Sequence, residues 1–579
     1  METALTPPLR RQALEAAHGP WTPRSLAQAL DDSTQRHGAR PLVITDDRSY
    51  TYTEVQAWSR RLAAGLLALG LAPGDHVAVV MANYPAFVAV KFALARIGAV
   101  AVPINYLLRA NELRYVLSQS DSKALITMDG LRDRNYLADL DALMPGWETQ
   151  GGGQAFPLLR HVVVFHAEGQ PRPAARSLEQ LADAGSDADQ ARLQRLEQEV
   201  DPLFRSDVVY TSGTTGSPKG VMLSHDMVLR AAYASAYTRA FQDGRRILFS
   251  LPMYHVFGYV ECLVACLFVG GAVIPHVVFD PQHMAEAAQR HAANEIVCVP
   301  MMTQKLLELV RERGFDGRHL TTMFNSGGAS PPTLWQDIRR LLGAREVITG
   351  YGMSETTAST TCTLPEGPDE RLLTSNGRLK LAGRAGDPAL GGVLALYKTV
   401  DPETGADLPV GTPGELVARG PIVTPGYYNK PDETRAAFNA EGWLHTGDVG
   451  VVDADGYLTL TGRIKETYRC GGEMVMPREI EDLLNGHPQV AQALVVGLPD
   501  PKMGEVGCVC VVPKGDTRPE PAELIALCAS HLARFKVPRH VVFIAPEEIP
   551  LTATGRPQKF LLQALAQRRL ADTQPQPTT

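Results

Sequence analysis

From Ser49 onward the chain alternates between stretches with apolar residues at helical spacing and short β-branched runs. Tyr50 to Leu69 predicts a helix, with Trp58, Leu62, Ala63 and Leu66 on its apolar face. Gly70 stops it, and Pro73–Gly74 turns the chain into a strand over His76–Met81. Asn83 and Tyr84–Pro85 open a second helix, Ala86 to Ile97, with a strand at Ala99–Pro103. Val256 to Val278 is the longest apolar stretch, but Glu261, Gly270–Gly271, Pro275 and His276 interrupt it. It predicts a buried helix followed by a strand, short of the roughly 20 apolar residues a membrane helix needs. Such alternation implies βαβ units and a mostly parallel sheet.

The pattern changes between Pro145 and Pro202. Gly151–Gly153, the segment Gly169 to Ala175 and the acidic Asp183–Asp189 run predict loops and a surface helix, with a strand at His161–Phe165. It changes again near Arg463. After that comes a unit of about 115 residues, the size of a small domain, with strands at Val490–Val496 and Val506–Val512 and a helix at Pro521–Arg534. The polar last residues predict a disordered tail. No internal repeat is visible.

Composition narrows the class. A chain of 579 residues exceeds what one core usually serves, so at least two domains are expected. Hydrophobic residues at 45% and charged ones at 21% describe an ordinary globular protein. The net charge of −7, from 63 acidic and 56 basic side chains, offers no bulk attraction to nucleic acid or anionic membrane. The opening residues contain no uninterrupted apolar stretch, so no secretory signal is expected. The eight cysteines show no CxxC or Cys/His ligand spacing; Cys508 and Cys510 would share one face of a strand as small buried residues. A cytoplasmic, reduced protein without structural zinc is the expectation.

Candidate chemistry is densest from Tyr210 to Gly220. This segment follows the short strand Asp207–Tyr210 and precedes a helix starting near Ser224. Three glycines, Gly213, Gly216 and Gly220, let the backbone bring N–H groups to an anion. Thr211, Ser212, Thr214, Thr215 and Ser217 add hydroxyls, and Lys219 adds a positive charge. The loop suits a nucleotide triphosphate without being a Walker A loop, because Gly220 follows the lysine where Ser or Thr would hold magnesium. A flexible linker is the bland alternative, and the flanking strand and buried-looking segment argue against it.

The loop resembles the signature of the adenylate-forming superfamily, which includes acyl-CoA synthetases, luciferases and peptide-synthetase adenylation domains. The resemblance extends from about Thr51 to about Lys559 and favours the acyl-CoA synthetase branch. It implies an α/β fold: a large N-terminal domain over 1–464, with mostly parallel sheets sandwiched by helices, and a small mobile α+β domain over 465–579. It also implies ATP, Mg2+ and CoA as the small molecules bound, ATP lying on Thr211, Ser212, Gly213, Thr214, Thr215 and Gly216. In Gly350 to Glu355, Tyr351 would pack on adenine beside Gly352, Ser354 would meet a phosphate, and Glu355 would hold magnesium, a hard cation that prefers oxygen. Gly328, Ala329 and Ser330, in the small-residue run from Ser326, would lie along the adenine and the acyl site.

By the same resemblance Asp448 would bind both ribose hydroxyls, with Arg463 close to the ribose and Lys465 as the pivot of domain rotation. His255, within Pro252 to Gly258, would stand beside the acid's carboxylate. Gly471 and Gly472 would leave room for the thiol arm, and Met474 stands where Asn or Gln is usual. One departure falls on the catalytic position. In Pro550 to Lys559 the residue after Gly555 is Arg556, where the family has the lysine that bridges carboxylate and α-phosphate. Arginine keeps the charge with a larger, planar head; Lys559 is the less suitable substitute. Catalysis is thus expected from Lys219, Glu355, Arg556 and His255.

The segments expected to line the acid pocket, Tyr254–Val260, Val297–Thr303, Phe324–Ser330 and Thr349–Met353, contain no Lys or Arg to neutralise a second carboxylate. An apolar acid is expected, a medium- or long-chain fatty acid first and an aryl acid second. Transfer to a carrier protein or an internal hydroxyl, a nucleotide-binding regulator without turnover and, remotely, a nucleic-acid-binding protein are the rival readings. A carrier protein and a second copy of the chain are the macromolecular partners left open.

Overall fold

The computed structural model describes residues 5–169, 172–211, 218–328, 330, 333–515, 518–552 and 557–573. The helix expected over Tyr50 to Leu69 runs Tyr52–Ala68. A capping box opens it: the Thr51 side chain accepts from the Glu54 N–H, and the Glu54 carboxylate accepts from the Thr51 N–H. Leu62, Ala63 and Leu66 are buried, whereas Trp58 stays partly exposed and stacks on Tyr50. The next expected elements follow as strand His76–Val80, helix Pro85–Arg96 and strand Val100–Pro103.

The chain folds into two compact units. The first comprises Met1–Gly327, Pro332–Leu396 and Arg419–Gly442. It contains two seven-stranded sheets. In one, Glu346–Ile348, Thr322–Asn325, Glu295–Cys298, Arg246–Phe249, Ala272–Pro275 and Pro41–Ile44 run parallel, with Ser49–Thr51 antiparallel at the edge. In the other, Arg205–Thr211, Val100–Pro103, His76–Val80, Ser122–Met128, His161–Phe165 and Arg176–Ser177 are parallel, and Lys219–Ser224 adds antiparallel to Arg205–Thr211. Both faces of such sheets are covered by helices, so their strands are buried almost throughout. The mostly parallel α/β reading therefore holds. A three-stranded antiparallel sheet, Gly350–Met353, Ala358–Cys362 and Arg378–Leu379, completes the unit.

This interior also holds charges, each with partners, as burial demands. Lys91 pairs with Asp207, and Arg96 meets both Asp31 and Glu197. Arg239 and Arg245 converge on Glu295 at 2.6 and 2.8 Å, all three fully buried.

The second unit comprises Gly328–Pro331, Tyr397–Ala418 and Trp443–Thr579. Its four-stranded sheet orders Leu396–Val400, Gly414–Arg419, Leu444–Val452 and Leu458–Arg463. This sheet groups mostly with the C-terminal residues, although it lies upstream of the change of pattern at Arg463. A five-stranded sheet follows, with Val490–Asp500 and Gly504–Pro513 as its long hairpin. Alternation along these strands feeds two cores: Val495, Val509 and Val511 face one, and Val496, Cys508 and Cys510 the other. The shared face expected of the two cysteines is thus real. All eight cysteines are buried and free. Among the described residues no helix is long and apolar enough to cross a membrane.

Candidate active site

Thr211 and Lys219 close the candidate phosphate loop from its two ends. They are Cα partners at the mouth of an antiparallel hairpin, the Thr211 hydroxyl donating to the Lys219 carbonyl at 3.5 Å. Ser212, Gly213, Thr214, Thr215 and Gly216 lie outside the described residues, as do Ala329 and Arg556. Beyond Lys219 the strand ends at Ser224, whose side chain caps the helix His225–Thr238. The flanking strands fix Thr211 and Lys219 in one sheet.

Tyr427 gathers the site, and sequence reasoning missed it. The segment Gly426 to Tyr428 is stitched to the Lys219–Ser224 strand: Met222 N–H donates to Gly426 O at 3.3 Å and Tyr428 N–H to Gly220 O at 2.8 Å. This places the Tyr427 ring 4.6 Å from the Lys219 ammonium, a cation–π distance, while its hydroxyl donates to Glu355 Oε1 at 3.1 Å. Burial and then the Glu355 carboxylate push the Tyr427 hydroxyl well above its ordinary range, so it remains a donor. The two adjacent tyrosines after Pro425–Gly426 were the available signal, in a stretch that otherwise reads as a turn.

Glu355 itself sits in a short 3-10 turn, Ser354–Thr356, between Gly350–Met353 and Ala358–Cys362. Ser354 and Glu355 are buried, and Thr424 N–H donates to the Glu355 carbonyl at 2.7 Å. Tyr351 is buried on the preceding strand, its N–H donating to the Thr361 hydroxyl at 3.1 Å. Gly352 has a steric reason to be glycine: a Cβ there would stand 1.9 Å from the Ala358 carbonyl oxygen. Among the described residues no three His, Cys, Asp or Glu side chains gather as a metal cage. A single buried carboxylate, Glu355, instead suits magnesium carried on a nucleotide, where phosphate and water oxygens supply the other ligands. The residues therefore fit the metal.

His255 caps a one-turn helix, Val256–Gly258, that runs on into a π-helix, Tyr259–Val264. Its Nδ1 accepts from the Phe257 N–H at 3.1 Å, which assigns the ring proton to Nε2. Burial lowers its pKa to about 4, so the ring is neutral at pH 7. Asn83, read from sequence only as a helix opener, fixes the turn before it. Its amide donates to Leu251 O at 2.9 Å and His276 O at 3.0 Å, and its oxygen accepts from Met253 N–H at 2.8 Å. Next to His255, Phe257 meets Phe324 edge to face at 5.4 Å, and Val299 lies 3.3 Å from where a Cβ on Gly327 would be. The ends of three parallel strands thus bring apolar groups together on the side of an α/β sheet where ligands bind. Arg239 reaches the Phe324 ring at 4.9 Å, but it is fully buried and committed to Glu295.

On the second unit, Asp448 and Arg463 are Cα partners on adjacent strands, their side chains joined at 2.6 Å. Asp448 is buried, and its N–H donates to the Thr446 hydroxyl at 3.1 Å. Lys465 follows in a 3-10 turn, Ile464–Glu466. Gly471 and Gly472, at φ 64° and 91°, form the two-residue turn between Tyr468–Cys470 and Glu473–Val475. Positive φ at both positions is itself a reason for glycine there, besides the room expected for a thiol arm; space around Gly472 is open to 4 Å. Gly328 is exposed and Ser330 partly so.

Two family models match the chain: AMP-binding enzyme over residues 30–428, and AMP-binding enzyme C-terminal domain over 479–556. A (methyl-dioxo-octahydro-indenyl)propanoyl:CoA ligase of Mycobacterium tuberculosis is 33% identical over 94% of this chain and 99% of its own. The mitochondrial medium-chain acyl-CoA ligase of Danio rerio is 30% identical over 94% of this chain and 88% of its own. The structure of ATP-bound MatB from Rhodopseudomonas palustris matches with a TM-score of 0.79 at 25% identity, over 93% of this chain and 98% of that one. The chain belongs to the AMP-binding enzyme family, among its AMP-forming acyl-CoA synthetases.

Proposed function

We propose that this ligase activates an apolar monocarboxylic acid, a medium- or long-chain fatty acid first, and transfers it to CoA. The observation that carries the reading is the apolar grouping of Phe257, Phe324, Val299 and Gly327 beside a neutral His255, where Arg239, against the Phe324 ring, is already committed to Glu295. A second acid carboxylate would find no partner there, whereas each buried CH2 gains about 0.8 kcal/mol. The medium-chain relative supports the same choice. A relative acting on an indenyl-propanoyl acid supports a second reading, a compact ring-bearing acid.

In the first step the substrate carboxylate attacks the α-phosphorus of ATP, an acyl–phosphate anhydride forms, and the bond to pyrophosphate breaks. Lys219 and Arg556 offset the phosphate charge, Ser354 and the loop hydroxyls donate to phosphate oxygens, and His255 Nε2–H orients the acid. Glu355 would hold magnesium, which neutralises phosphate charge when bound. Asp448, paired with Arg463 at 2.6 Å, would take the ribose hydroxyls. Residues 465–579 would then turn about Lys465, so that the CoA thiolate attacks the acyl carbon past Gly471 and Gly472 and AMP leaves. Eight buried, free cysteines support a reducing cytoplasm as its location.

The test incubates the protein with ATP, magnesium and a panel of fatty, ring-bearing and dicarboxylic acids, with and without CoA, following pyrophosphate, AMP and acyl-thioester. Acyl-CoA from an apolar monocarboxylic acid is the expected product. A preference for dicarboxylic acids, or thioester formed only with a carrier protein, would sink this reading.

His255 carries its own prediction. Because its ring is neutral down to about pH 4, and Nε2–H donates in either protonation state, its titration should leave recognition of the acid level from pH 8 to pH 5. Protonation also favours the unfolded chain, whose imidazole titrates near 6.5, so this residue's share of stability declines between pH 6.5 and 4. His255→Ala should raise the acid's KM by about tenfold, the worth of one hydrogen bond to a charged group, with the KM for ATP unchanged. Steady-state kinetics in both substrates checks this; an unchanged acid KM removes His255 from the pocket.

A further inference from the structure

We propose that Glu261 is a positioning residue for the metal-binding carboxylate: from the acid-pocket helix it holds the strained turn that presents Glu355. The proposal rests on the assignment of Glu355 to the metal.

The turn is strained in its backbone. Thr357 and Ala358, the second and third residues after Glu355, have φ of 61° and 135°. Positive φ is uncommon for a β-branched residue, and 135° is a region that glycine alone enters without cost. The ladder also slips here: Tyr351 faces Thr361 and Gly352 faces Ser359, leaving Thr360 as an extra residue. Such a conformation persists only where its surroundings over-determine it. On one side Thr357 Oγ1 donates to Ile422 O at 2.6 Å and Thr356 Oγ1 to Ala358 O at 3.1 Å.

The other side is Glu261. It lies in the π-helix Tyr259–Val264, directly after His255 and Phe257, in a run that is otherwise apolar and fully buried. A π-helix in such a place is often tied to function. The Glu261 carboxylate accepts from the Ser359 N–H at 2.9 Å and from the hydroxyls of Ser359 and Ser235. Lys380 Nζ donates to both its oxygens at 2.9 and 3.1 Å, and Arg239 donates to its backbone carbonyl. Burial alone would raise this carboxyl; Lys380, Arg239 and the two serines outweigh it and hold it near 2, fully ionised. The first residue past the strained pair is thus fastened by a charged acceptor, and the fastening comes from the segment that carries the acid pocket. The Glu261 carboxylate acts through Ser235, Ser359 and Lys380, so its effect passes through the turn.

Two substitutions separate positioning from bulk stability. Glu261→Asp keeps the charge that Lys380 needs, so the protein folds, but withdraws the acceptor from Ser359. Glu261→Gln keeps the length and brings two N–H donors into a site already crowded with donors. In both, amide exchange should accelerate in residues 354–359 and not across the rest of the unit. Mn2+ affinity of the ATP-bound protein, read by electron paramagnetic resonance, should weaken by about tenfold, the effect of misplacing one carboxylate. Acid-dependent pyrophosphate release should fall in parallel, while transfer from a supplied acyl-adenylate to CoA stays within about twofold. Adding Ala358→Gly, which removes the strain, should restore Mn2+ affinity in the Glu261→Asp background. Unchanged local exchange and Mn2+ affinity in Glu261→Asp, or a loss spread evenly over the unit and both half-reactions, would overturn the proposal. Glu355→Gln run alongside isolates the other assumption. If it leaves Mn2+ affinity intact, the metal assignment of Glu355 fails, and localised exchange in the Glu261 variants then decides the clamp by itself.

Discussion

Arg556→Ala should reduce acid-dependent pyrophosphate release by about 10²–10³-fold, the cost of removing one preorganised donor from a developing anionic centre. Transfer of the acyl group from a supplied adenylate to CoA should change by no more than about twofold, because on the proposed cycle Arg556 has left the site by then. The prediction rests on where the other cation of this segment is spent. Lys559 Nζ lies 2.6 Å from Glu481 and 3.5 Å from Glu466, largely buried. Freeing it would break both ion pairs. Arg556 is then the cation of this segment that the proposed reaction assigns to the α-phosphate and the acid. Its forked head can contact two oxygens at once but fits a smaller opening poorly. Arg556→Lys should therefore retain activity and, if the site kept the dimensions suited to lysine, exceed the native rate. Separate assays of the two half-reactions check both statements. Full pyrophosphate release in Arg556→Ala would pass the role to another cation, with Lys559→Met the next variant to examine.

Much of this was legible in the sequence, for identifiable reasons. Strands buried on both faces read as β-branched runs, so His76–Val80, Val100–Pro103 and His161–Phe165 stood out. Gly70 and the Pro73–Gly74 turn mark the end of the helix read from Tyr50, whereas its cap at Thr51 shows only in the structure. The Asp448–Arg463 pair lies in segments whose motifs named both residues before their strands were known to be partners. Contacts made across long sequence separations had no such signal. Tyr427 joins Lys219 to Glu355 from more than seventy residues past either motif's end, and nothing local distinguishes it from a turn tyrosine. Asn83 was visible only as a residue that opens helices, since its three bonds reach Leu251, Met253 and His276. Glu261 reads in the sequence as an interruption of an apolar run. That was the right residue for a partial reason: a carboxylate inside such a run implies buried partners, and sequence does not say which. The strain at Thr357–Ala358 had no sequence sign, because neither residue is a glycine.

Glu295→Gln should destabilise the first unit by about 3–5 kcal/mol, the range for breaking a buried ion pair from one side. Glu295 is the sole carboxylate paired with Arg245 among the described ion pairs, and it also takes Arg239 at 2.6 Å. With Glu261 and Lys380, these side chains form a fully or almost fully buried set of three cations and two carboxylates. Removing the charge of Glu295 leaves three cations against Glu261 alone, in a medium that solvates none of them. The loss comes from stranding Arg239 and Arg245, not from the value of the pair itself. That origin makes a second, opposite expectation. Replacing Arg239, Arg245 and Glu295 together by Met, Met and Leu leaves the balanced Glu261–Lys380 pair and should cost less than Glu295→Gln alone. Urea unfolding followed by fluorescence reads both variants. A triple variant that loses more than the single would mean that the three residues contribute net binding energy, and that their hydrogen bonds rather than charge balance hold strand Glu295–Cys298 against the helix ending at Thr238. The same result would bear on the proposed acid pocket, because Arg239 lies 4.9 Å from the Phe324 ring. A pocket floor resting on that guanidinium should then loosen in the triple variant and raise the KM of the acid while the KM of ATP stays put.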